Sequence, residues 1–318
     1  MKIAFTSCFH AVTNPVQPIW SRIAAAQPDV LVLLGDSIYL DVDNGYSVDA
    51  IQKLDAYSFA QLAFAQYRKQ LAVSDFATLL RRPGIRTYAI WDDHDCMYNN
   101  VCGAVVASDP RQADKIGPSR ALFAAFRASV ESGLATPFPM EIPGFVPAPP
   151  EPGYRAISLA PDLVLHLTDG RSYKTRSGKA ALLGSAQMAL LGAQLQAKPD
   201  ALHLVASGVV FDNAGESWAK CAAEHDQMLR WAAQYKILML SGDIHKNDFQ
   251  RYPNTDAPGR KLFNAVSSGA AIRGVLTGFS GTAENWGLLT LDAATARVQT
   301  FTATSMDHDV TVQRANWG

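Results

Sequence analysis

Apolar and polar positions along the chain follow two alternating patterns. Short apolar runs end in small or acidic residues, and between them apolar residues recur every three or four positions. The first pattern is typical of buried strands and the second of amphipathic helices, so their alternation predicts parallel strands joined by crossover helices. The predicted strands of this kind lie at residues 2–7, 30–34, 86–91, 202–207 and 236–241, and the predicted helices at 15–26, 58–71, 75–80, 119–132, 185–195 and 216–234.

The rest of the pattern predicts further strands and one long loop. Residues 154–160 and 163–168 form a predicted hairpin, and the other strand candidates are 261–266, 287–292 and 297–303. Seven prolines between Pro137 and Pro152 exclude a helix or an inner strand, which predicts an extended loop at residues 137–153. Strand patterns resume directly after it, so we expect a single domain over residues 1–318. We expect an irregular stretch from Asp95 to Gly117, and Ser119 as the cap of the next helix.

The composition changes this picture by excluding several classes of protein. The 318 residues carry 28 Lys and Arg against 29 Asp and Glu, so the net charge is −1. This balance disfavours an obligate nucleic-acid partner and an anionic membrane surface. No apolar run approaches the roughly 18 residues of a membrane span, and no leader pattern follows Met1, so we expect a cytoplasmic protein. The four cysteines are too few for a disulfide scaffold, which leaves each as a packing thiol or a ligand.

Reactive side chains follow four of the predicted strands. Ligands of open α/β sheets bind beyond the carboxyl ends of the strands, and we expect these four ends to share one edge of the sheet. Thiol, imidazole, carboxylate and phenol groups stand there, and these are groups that bind metal ions. The four segments are Ser7-Cys8-Phe9-His10, Gly35-Asp36-Ser37-Ile38-Tyr39, Asp92-Asp93-His94-Asp95 and Gly242-Asp243-Ile244-His245. Their convergence predicts a metal centre.

Each segment alone has a simpler interpretation. An isolated Cys8 is more often a small buried apolar side chain, and a Gly-Asp pair after a strand often makes a turn. The acidic run fits a solvated loop, although carboxylates crowded around His94 repel one another unless a cation neutralises them. His245 is equally compatible with a structural histidine. Four coincidences at one edge favour the metal centre over these alternatives.

The same four segments resemble the motifs of a known family. Ser7-Cys8, Gly35-Asp36-x-x-Tyr39, Trp91-Asp92-Asp93-His94-Asp95 and Ser241-Gly242-Asp243-x-His245 are similar to those of the PhoD-like alkaline phosphatases, a branch of the calcineurin-like metallophosphoesterases. Later segments such as Leu167-Thr168-Asp169-Gly170-Arg171 and Asn285-Trp286-Gly287 extend the resemblance over nearly the whole chain. The resemblance implies an α/β fold, a four-layer α/β/β/α sandwich, with several metals at the strand ends.

The resemblance also implies roles for individual residues. Asp36 would bridge two metals, and His94 would contact the substrate or the leaving group. The implied metal ligands are Cys8, His10, Asp36, Tyr39, Asp93, Asp243 and His245. One ligand of the wider superfamily is missing, because Ser207-Gly208-Val209 stands where a histidine should follow a strand. We therefore expect the second metal to be weakly held, rich in oxygen ligands or completed by water.

The ligand types suggest the metals. A thiolate and a phenolate neutralise much positive charge, so charge balance and the resemblance both favour ferric iron in the first site. This site would contain Cys8, Asp36, Tyr39 and His245, with His10 as a ligand or a neighbouring partner. The carboxylates of Asp36, Asp93 and Asp243 suit one or more divalent ions, calcium, magnesium or manganese. Asp41 and Asp43 are further candidates for the second site, or parts of a solvated turn.

Such a centre predicts a phosphoesterase that acts on phosphate mono- or diesters of a small molecule. A hydroxide between two metals about 3.5 to 4 Å apart would attack phosphorus, and His94 would donate a hydrogen bond or proton to an ester oxygen. Arg171 would bind phosphate oxygens as a second catalytic residue, or else form a surface salt bridge. The alternative is a protein of the same fold that binds metal as a sensor or binding module without turnover.

A dinucleotide-binding oxidoreductase is disfavoured, because no Gly-x-Gly-x-x-Gly segment follows the first predicted strand. The sequence leaves the identity of the ester and the oligomeric state open.

Overall fold

The apolar runs become strands of two sheets, and most segments of helical spacing become helices. The computed structural model describes residues 1–42, 46–142, 153–176, 180–212, 214–254, 257, 259–273 and 282–318. Asp43 and residues 143–152 of the predicted proline-rich loop lie outside these ranges. The strands are β1 (Lys2–Thr6), β2 (Val30–Leu33), β3 (Arg86–Ala89), β4 (Arg155–Ala160), β5 (Leu163–Leu167), β6 (Leu202–Ser207), β7 (Lys236–Ser241), β8 (Asn247–Pro253), β9 (Lys261–Ser267), β10 (Ile272–Arg273), β11 (Thr282–Ala283), β12 (Trp286–Leu291), β13 (Thr295–Phe301) and β14 (Met306–Gln313). The helices are α1 (Ile19–Ala25), α2 (Val48–Lys53), α3 (Ala56–Leu71), α4 (Ser74–Leu80), α5 (Asp93–Cys96), α6 (Gly103–Ser108), α7 (Ile116–Glu131), α8 (Gly184–Ala197) and α9 (Ala222–Ala232).

Both large sheets are mixed: the first is parallel on one side and antiparallel on the other, and the second has a parallel centre with an antiparallel strand at each edge. Within the described ranges, the first sheet has six strands in the order β14-β13-β12-β1-β2-β3, and β1, β2 and β3 run parallel. The second has six strands in the order β4-β5-β6-β7-β9-β8, and β5, β6, β7 and β9 run parallel. The parallel strands are buried on both faces, which explains why they appear in the sequence as continuous apolar runs.

Three layers of apolar contacts hold the sheets and helices together. Between the sheets, Phe5 and Val32 of the first belong to the same cluster as Leu165, Leu204 and Leu240 of the second. On the outer face of the first sheet, side chains of α1, α3, α4 and α7 form a second cluster. On the outer face of the second sheet, α8 and α9 form a third. The architecture is the four-layer α/β/β/α sandwich that the family resemblance implies.

The stretch predicted to be irregular from Asp95 to Gly117 contains the end of α5, all of α6, a 3₁₀ turn at Ala113–Lys115 and the start of α7. The carboxylate of Asp95 accepts the backbone N–H of Asp92 at 3.1 Å and closes the turn of α5. Ser119 lies inside α7, which begins at Ile116, and not at its cap. Its hydroxyl instead donates to the carbonyl of Cys96 at 2.5 Å and joins α7 to the turn of α5. The prediction for Ser119 is therefore wrong.

Elements later in the chain also differ from the predicted ones. The predicted helix at 216–234 is shorter, because Trp218–Lys220 form a separate 3₁₀ turn before α9. Trp218 is buried there and its indole donates to the Ser207 hydroxyl at 3.0 Å, which holds the turn against the end of β6. The edge strands β8 and β14 were not predicted, because they carry mostly half-exposed or exposed polar residues. No helix in the described parts of the chain is long and apolar enough to span a bilayer.

Candidate metal centre

The four chemically rich segments meet at one end of the sandwich. Three of them follow β1, β2 and β3 of the first sheet, but the fourth follows β7 of the second sheet. The prediction of a single sheet edge is therefore wrong, because β7 pairs with β6 and β9. Packing of the two sheets still brings the ends together: Cys8 Sγ lies 3.3 Å from Asp36 Oδ2 and 4.0 Å from the carbonyl oxygen of Asp243.

The backbone turns sharply at these segments. Cys8, Asp36, Asp243 and His245 adopt positive φ angles of 62°, 57°, 72° and 54°. Non-glycine residues adopt this conformation rarely, and such positions cluster at functional sites. The turns direct a thiol, two carboxylates and an imidazole toward one another.

A first group of donors surrounds Asp36. One donor atom each from Cys8, Asp36 and His245 lies within 4.8 Å of the others. The Tyr39 hydroxyl donates to Asp36 Oδ2 at 3.2 Å and lies 3.3 Å from His245 Nε2. The structure thus brings together the four side chains predicted for the first metal.

A second group consists of carboxylates. Oxygens of Asp36, Asp92, Asp93 and Asp243 lie within 4.8 Å of one another. Burial and the neighbouring Cys8 and Asp93 raise the pKa of Asp36 well above its usual value, and burial together with Asp93 raises the pKa of Asp243 to about 8. Buried carboxylates at this spacing are neutralised either by protons or by cations, and the donor chemistry fits hard metal ions.

Asp92 is a member of this group that the sequence did not single out as a ligand. Its carboxylate lies against Gly208, where an added Cβ would come within 2.3 Å of Asp92 Oδ1. Gly208 belongs to the segment in which the expected histidine ligand is missing, and the Asp92 carboxylate lies beside that position. The sequence signal for Asp92 as a ligand was its place in the Asp-Asp-His run. The direction of its side chain, however, depends on packing against Gly208, which follows β6 of the second sheet.

Arg171 lies inside the protein next to the carboxylates. Its guanidinium pairs with Asp92 and Glu216, lies 3.6 Å from Asp93, and has no solvent exposure. Despite burial, Arg171 and His94 hold the pKa of Asp93 below its usual range. The alternative of a surface salt bridge is therefore wrong. Arg171 Nη2 makes no hydrogen bond within the described part of the chain.

His94 forms a pair with Asp41. His94 Nδ1 lies 2.8 Å from Asp41 Oδ1, and Asp41 Oδ2 accepts the backbone N–H of Asn99 at 2.9 Å. Burial lowers the pKa of His94, but Asp93 and Asp41 outweigh this effect and raise it to about 9. Asp41 belongs to neither group of donors described above and instead orients the His94 ring.

His10 lies beside the first group rather than within it. Its Nδ1 lies 3.1 Å from the Thr13 hydroxyl, and its ring centre lies 5.4 Å from that of Tyr39. Burial, and next the positive charge of His94, lower the pKa of His10 to about 4. Its Nε2 is buried and has no hydrogen-bond partner among the residues that are described.

Two further residues hold the donors in place and were not predicted. The Gln66 amide accepts the backbone N–H of Tyr39 at 2.9 Å and donates to its carbonyl at 2.6 Å. The Ser268 hydroxyl accepts the backbone N–H of His245 at 2.9 Å and lies 3.2 Å from Cys8 Sγ. Neither residue belongs to a motif, because each acts on a donor from a distant segment of the chain.

Known proteins share both the sequence pattern and the fold. The family model of the PhoD-like phosphatases matches residues 3–305. A solved structure of PhoD has 14% sequence identity and a TM-score of 0.64, over 98% of this chain and 68% of that one. A dimetal phosphatase from Danio rerio has 9% identity and a TM-score of 0.55, over 99% of each chain. No curated protein matches the sequence significantly.

At these identities the solved structures establish the fold alone, which this chain shares with PhoD and with the dimetal phosphatase. The family match adds the sequence pattern, since it spans nearly the whole chain and includes the segments after β1, β2, β3 and β7. With the candidate metal ligands of those segments gathered at one end of this fold, the chain belongs to the PhoD-like phosphatases.

Proposed function

We propose that the chain is a metal-dependent phosphoesterase that hydrolyses mono- or diesters of small molecules. The observation that carries the proposal is the position of Asp36, which belongs both to the group with Cys8 and His245 and to the carboxylate group. A carboxylate shared by two donor groups is suited to hold two cations side by side. Membership of the PhoD-like phosphatases supports the same activity.

The two donor groups suit different metals. A thiol and a phenol in the first group favour ferric iron, because their anions balance its charge, and the side chains proposed for it are Cys8, Asp36, Tyr39 and His245. His10 stands next to this set as a further ligand or a partner. Carboxylate oxygens favour calcium, magnesium or manganese, and the side chains proposed for these are Asp36, Asp92, Asp93 and Asp243.

Bound metals would supply Lewis acidity, which activates the attacking water and neutralises the phosphoryl oxygens. The protein's own residues position and protonate the ester. Asp41 holds Nδ1 of His94, so Nε2 is the nitrogen that donates a proton to the ester oxygen as the P–O bond breaks. Arg171 binds a phosphoryl oxygen through Nη2, while its other nitrogens pair with Asp92 and Glu216.

Replacement of the shared carboxylate tests this proposal. We expect Asp36→Asn to lower kcat on 4-nitrophenyl phosphate and bis(4-nitrophenyl) phosphate by about a hundredfold or more, because the carboxylate common to both groups loses its charge. The metal content per chain, measured by mass spectrometry, should fall as well. Asp200→Asn changes an exposed carboxylate in a turn and should alter neither quantity.

Metal removal distinguishes a metal-dependent enzyme from a metal-binding protein without catalysis. A chelator should abolish turnover in the parent protein, and adding back single metals should identify those that restore it. Full activity in metal-free protein would contradict the proposal. A metal-loaded parent that turns over neither ester would favour the alternative of a metal-binding protein without catalysis.

A further inference from the structure

A cavity of about 480 Å³ opens beside the candidate metal centre. Its described lining residues include three basic side chains, Lys174, Arg176 and Lys220, and one acidic side chain, Glu216. Arg176 and Lys220 are exposed. The volume lies within the range of small-molecule binding sites.

Two contacts connect this cavity to the carboxylate group. The backbone N–H of Asn100, on the cavity wall, donates to Asp93 Oδ2 at 2.5 Å. Glu216 pairs with Arg171, which in turn pairs with Asp92. A phosphoryl group at the metal centre would therefore have the rest of its ester within reach of the cavity.

The cavity carries an excess of positive charge. Its described acidic residue, Glu216, is already shared by Arg171 and Lys174. The Arg176 guanidinium donates to the carbonyl of Asn100 and lies 3.2 Å from Cys102 Sγ, so a neutral partner holds it at the wall. No carboxylate among the described lining residues remains to neutralise Arg176 and Lys220.

We propose, on the basis of the phosphoesterase function above, that this cavity binds a second anionic group on the substrate. The preferred ester then has an alcohol portion that itself carries a phosphate or a carboxylate. Charge-assisted hydrogen bonds from Arg176 and Lys220 recognise this group, while the reacting phosphoryl group stays at the metal centre.

Three alkyl esters that differ only at the far end test the inference. We expect kcat/KM for propane-1,3-diyl bisphosphate, corrected for its two equivalent esters, to exceed that for propyl phosphate by about tenfold or more. The third ester, 3-carboxypropyl phosphate, distinguishes a carboxylate from a phosphate as the second anion. Arg176→Ala and Lys220→Ala should each lower the ratio of the two kcat/KM values toward one. Arg81→Ala changes an exposed arginine at the end of α4 and should keep the ratio of the parent.

Equal kcat/KM values for all three esters in the parent would overturn the inference, and so would an unchanged ratio in both cavity variants. Both results leave the phosphoesterase function intact, because they require measurable hydrolysis. Absence of hydrolysis of propyl phosphate and 4-nitrophenyl phosphate by the metal-loaded parent would instead overturn the proposed function, and the inference with it.

Discussion

His94 and Asp41 make a pair whose geometry fixes one ring nitrogen. The 2.8 Å contact at Nδ1 and the bond from Asn99 to Asp41 leave the ring little freedom to rotate. The Tyr39 ring, 4.1 Å from the His94 ring between centres, restricts it from the side. Asp41 acts through His94 and is a positioning residue, whereas His94 is the proposed proton donor.

Replacement of this positioning residue should affect turnover more than binding. We expect Asp41→Asn to lower kcat by about tenfold to a hundredfold and to change KM little, because the imidazole loses its orientation. The loss should be larger for propyl phosphate than for 4-nitrophenyl phosphate, since 4-nitrophenolate leaves without a proton. Steady-state kinetics on both esters measure this difference.

Asp49→Asn, at an exposed position in the first turn of α2, is the matched control and should keep the parent kinetics. An equal loss on both esters would show that Asp41 supports the structure of the site and not the proton transfer.

The turns after the strands decide where the donors point. Gly35 has a φ of 98°, and a Cβ at this position would come within 2.5 Å of Asp92 Cβ. The turn after β2 therefore packs directly against the turn after β3, which brings Asp36 close to Asp92 and Asp93. Only glycine satisfies both the backbone angle and the close approach.

A methyl group at this turn should separate the two strand ends. We expect Gly35→Ala to lower the free energy of unfolding by about 2 kcal/mol or more, from backbone strain and overlap together, and to reduce bound metal. Gly117→Ala in α7 is the control, because among the described residues no atom outside its immediate chain neighbours and its own helix backbone lies within 4 Å of the added Cβ. It should be neutral or stabilising by up to about 1 kcal/mol. Urea unfolding of the two variants measures both values, and equal effects would contradict the argument.

At the scale of the whole molecule, a second network of buried polar groups lies in the other half of the sandwich, away from the candidate metal centre. On the helix-facing side of the second sheet, His166 Nε2 lies 2.8 Å from His203 Nδ1, and the Tyr154 hydroxyl lies 2.6 Å from His166 Nδ1. His203 Nε2 lies 2.9 Å from the carbonyl oxygen of Lys198. Burial, and next His203, lower the pKa of His166 from 6.5 to about 3.

This network predicts a pH dependence of global stability. The folded protein binds fewer protons at His166 than the unfolded chain does below pH 6.5, so the free energy of unfolding falls as the pH decreases from 6.5 toward 3. We expect His166 to contribute a loss on the order of 2 kcal/mol between pH 7 and pH 5. His166→Gln should show a smaller loss over this interval in urea unfolding, and equal losses in variant and parent would contradict the assignment.

The local pattern of apolar and polar residues predicted many of the strands and helices. The strands predicted at 202–207 and 236–241 agree with β6 and β7 at both ends, because each is a buried apolar run with clear boundaries. The short helices α2, α5 and α6 and the edge strands β8 and β14 were missed. Their residues have no strong apolar period, and α5 is held by hydrogen bonds from Ser37 and Ser119 in other segments of the chain.

The sequence by itself determined which residues are candidate metal ligands and which family they resemble, because strand ends and their motifs are local features. The tertiary structure alone decided that β7 lies in a different sheet, that Asp92 joins the carboxylate group beside Gly208, and that Arg171 is buried between Asp92 and Glu216. These contacts join residues 45 to 116 positions apart in the chain. No local pattern encodes them, since the direction of a side chain at the end of a strand depends on which surface packs against it.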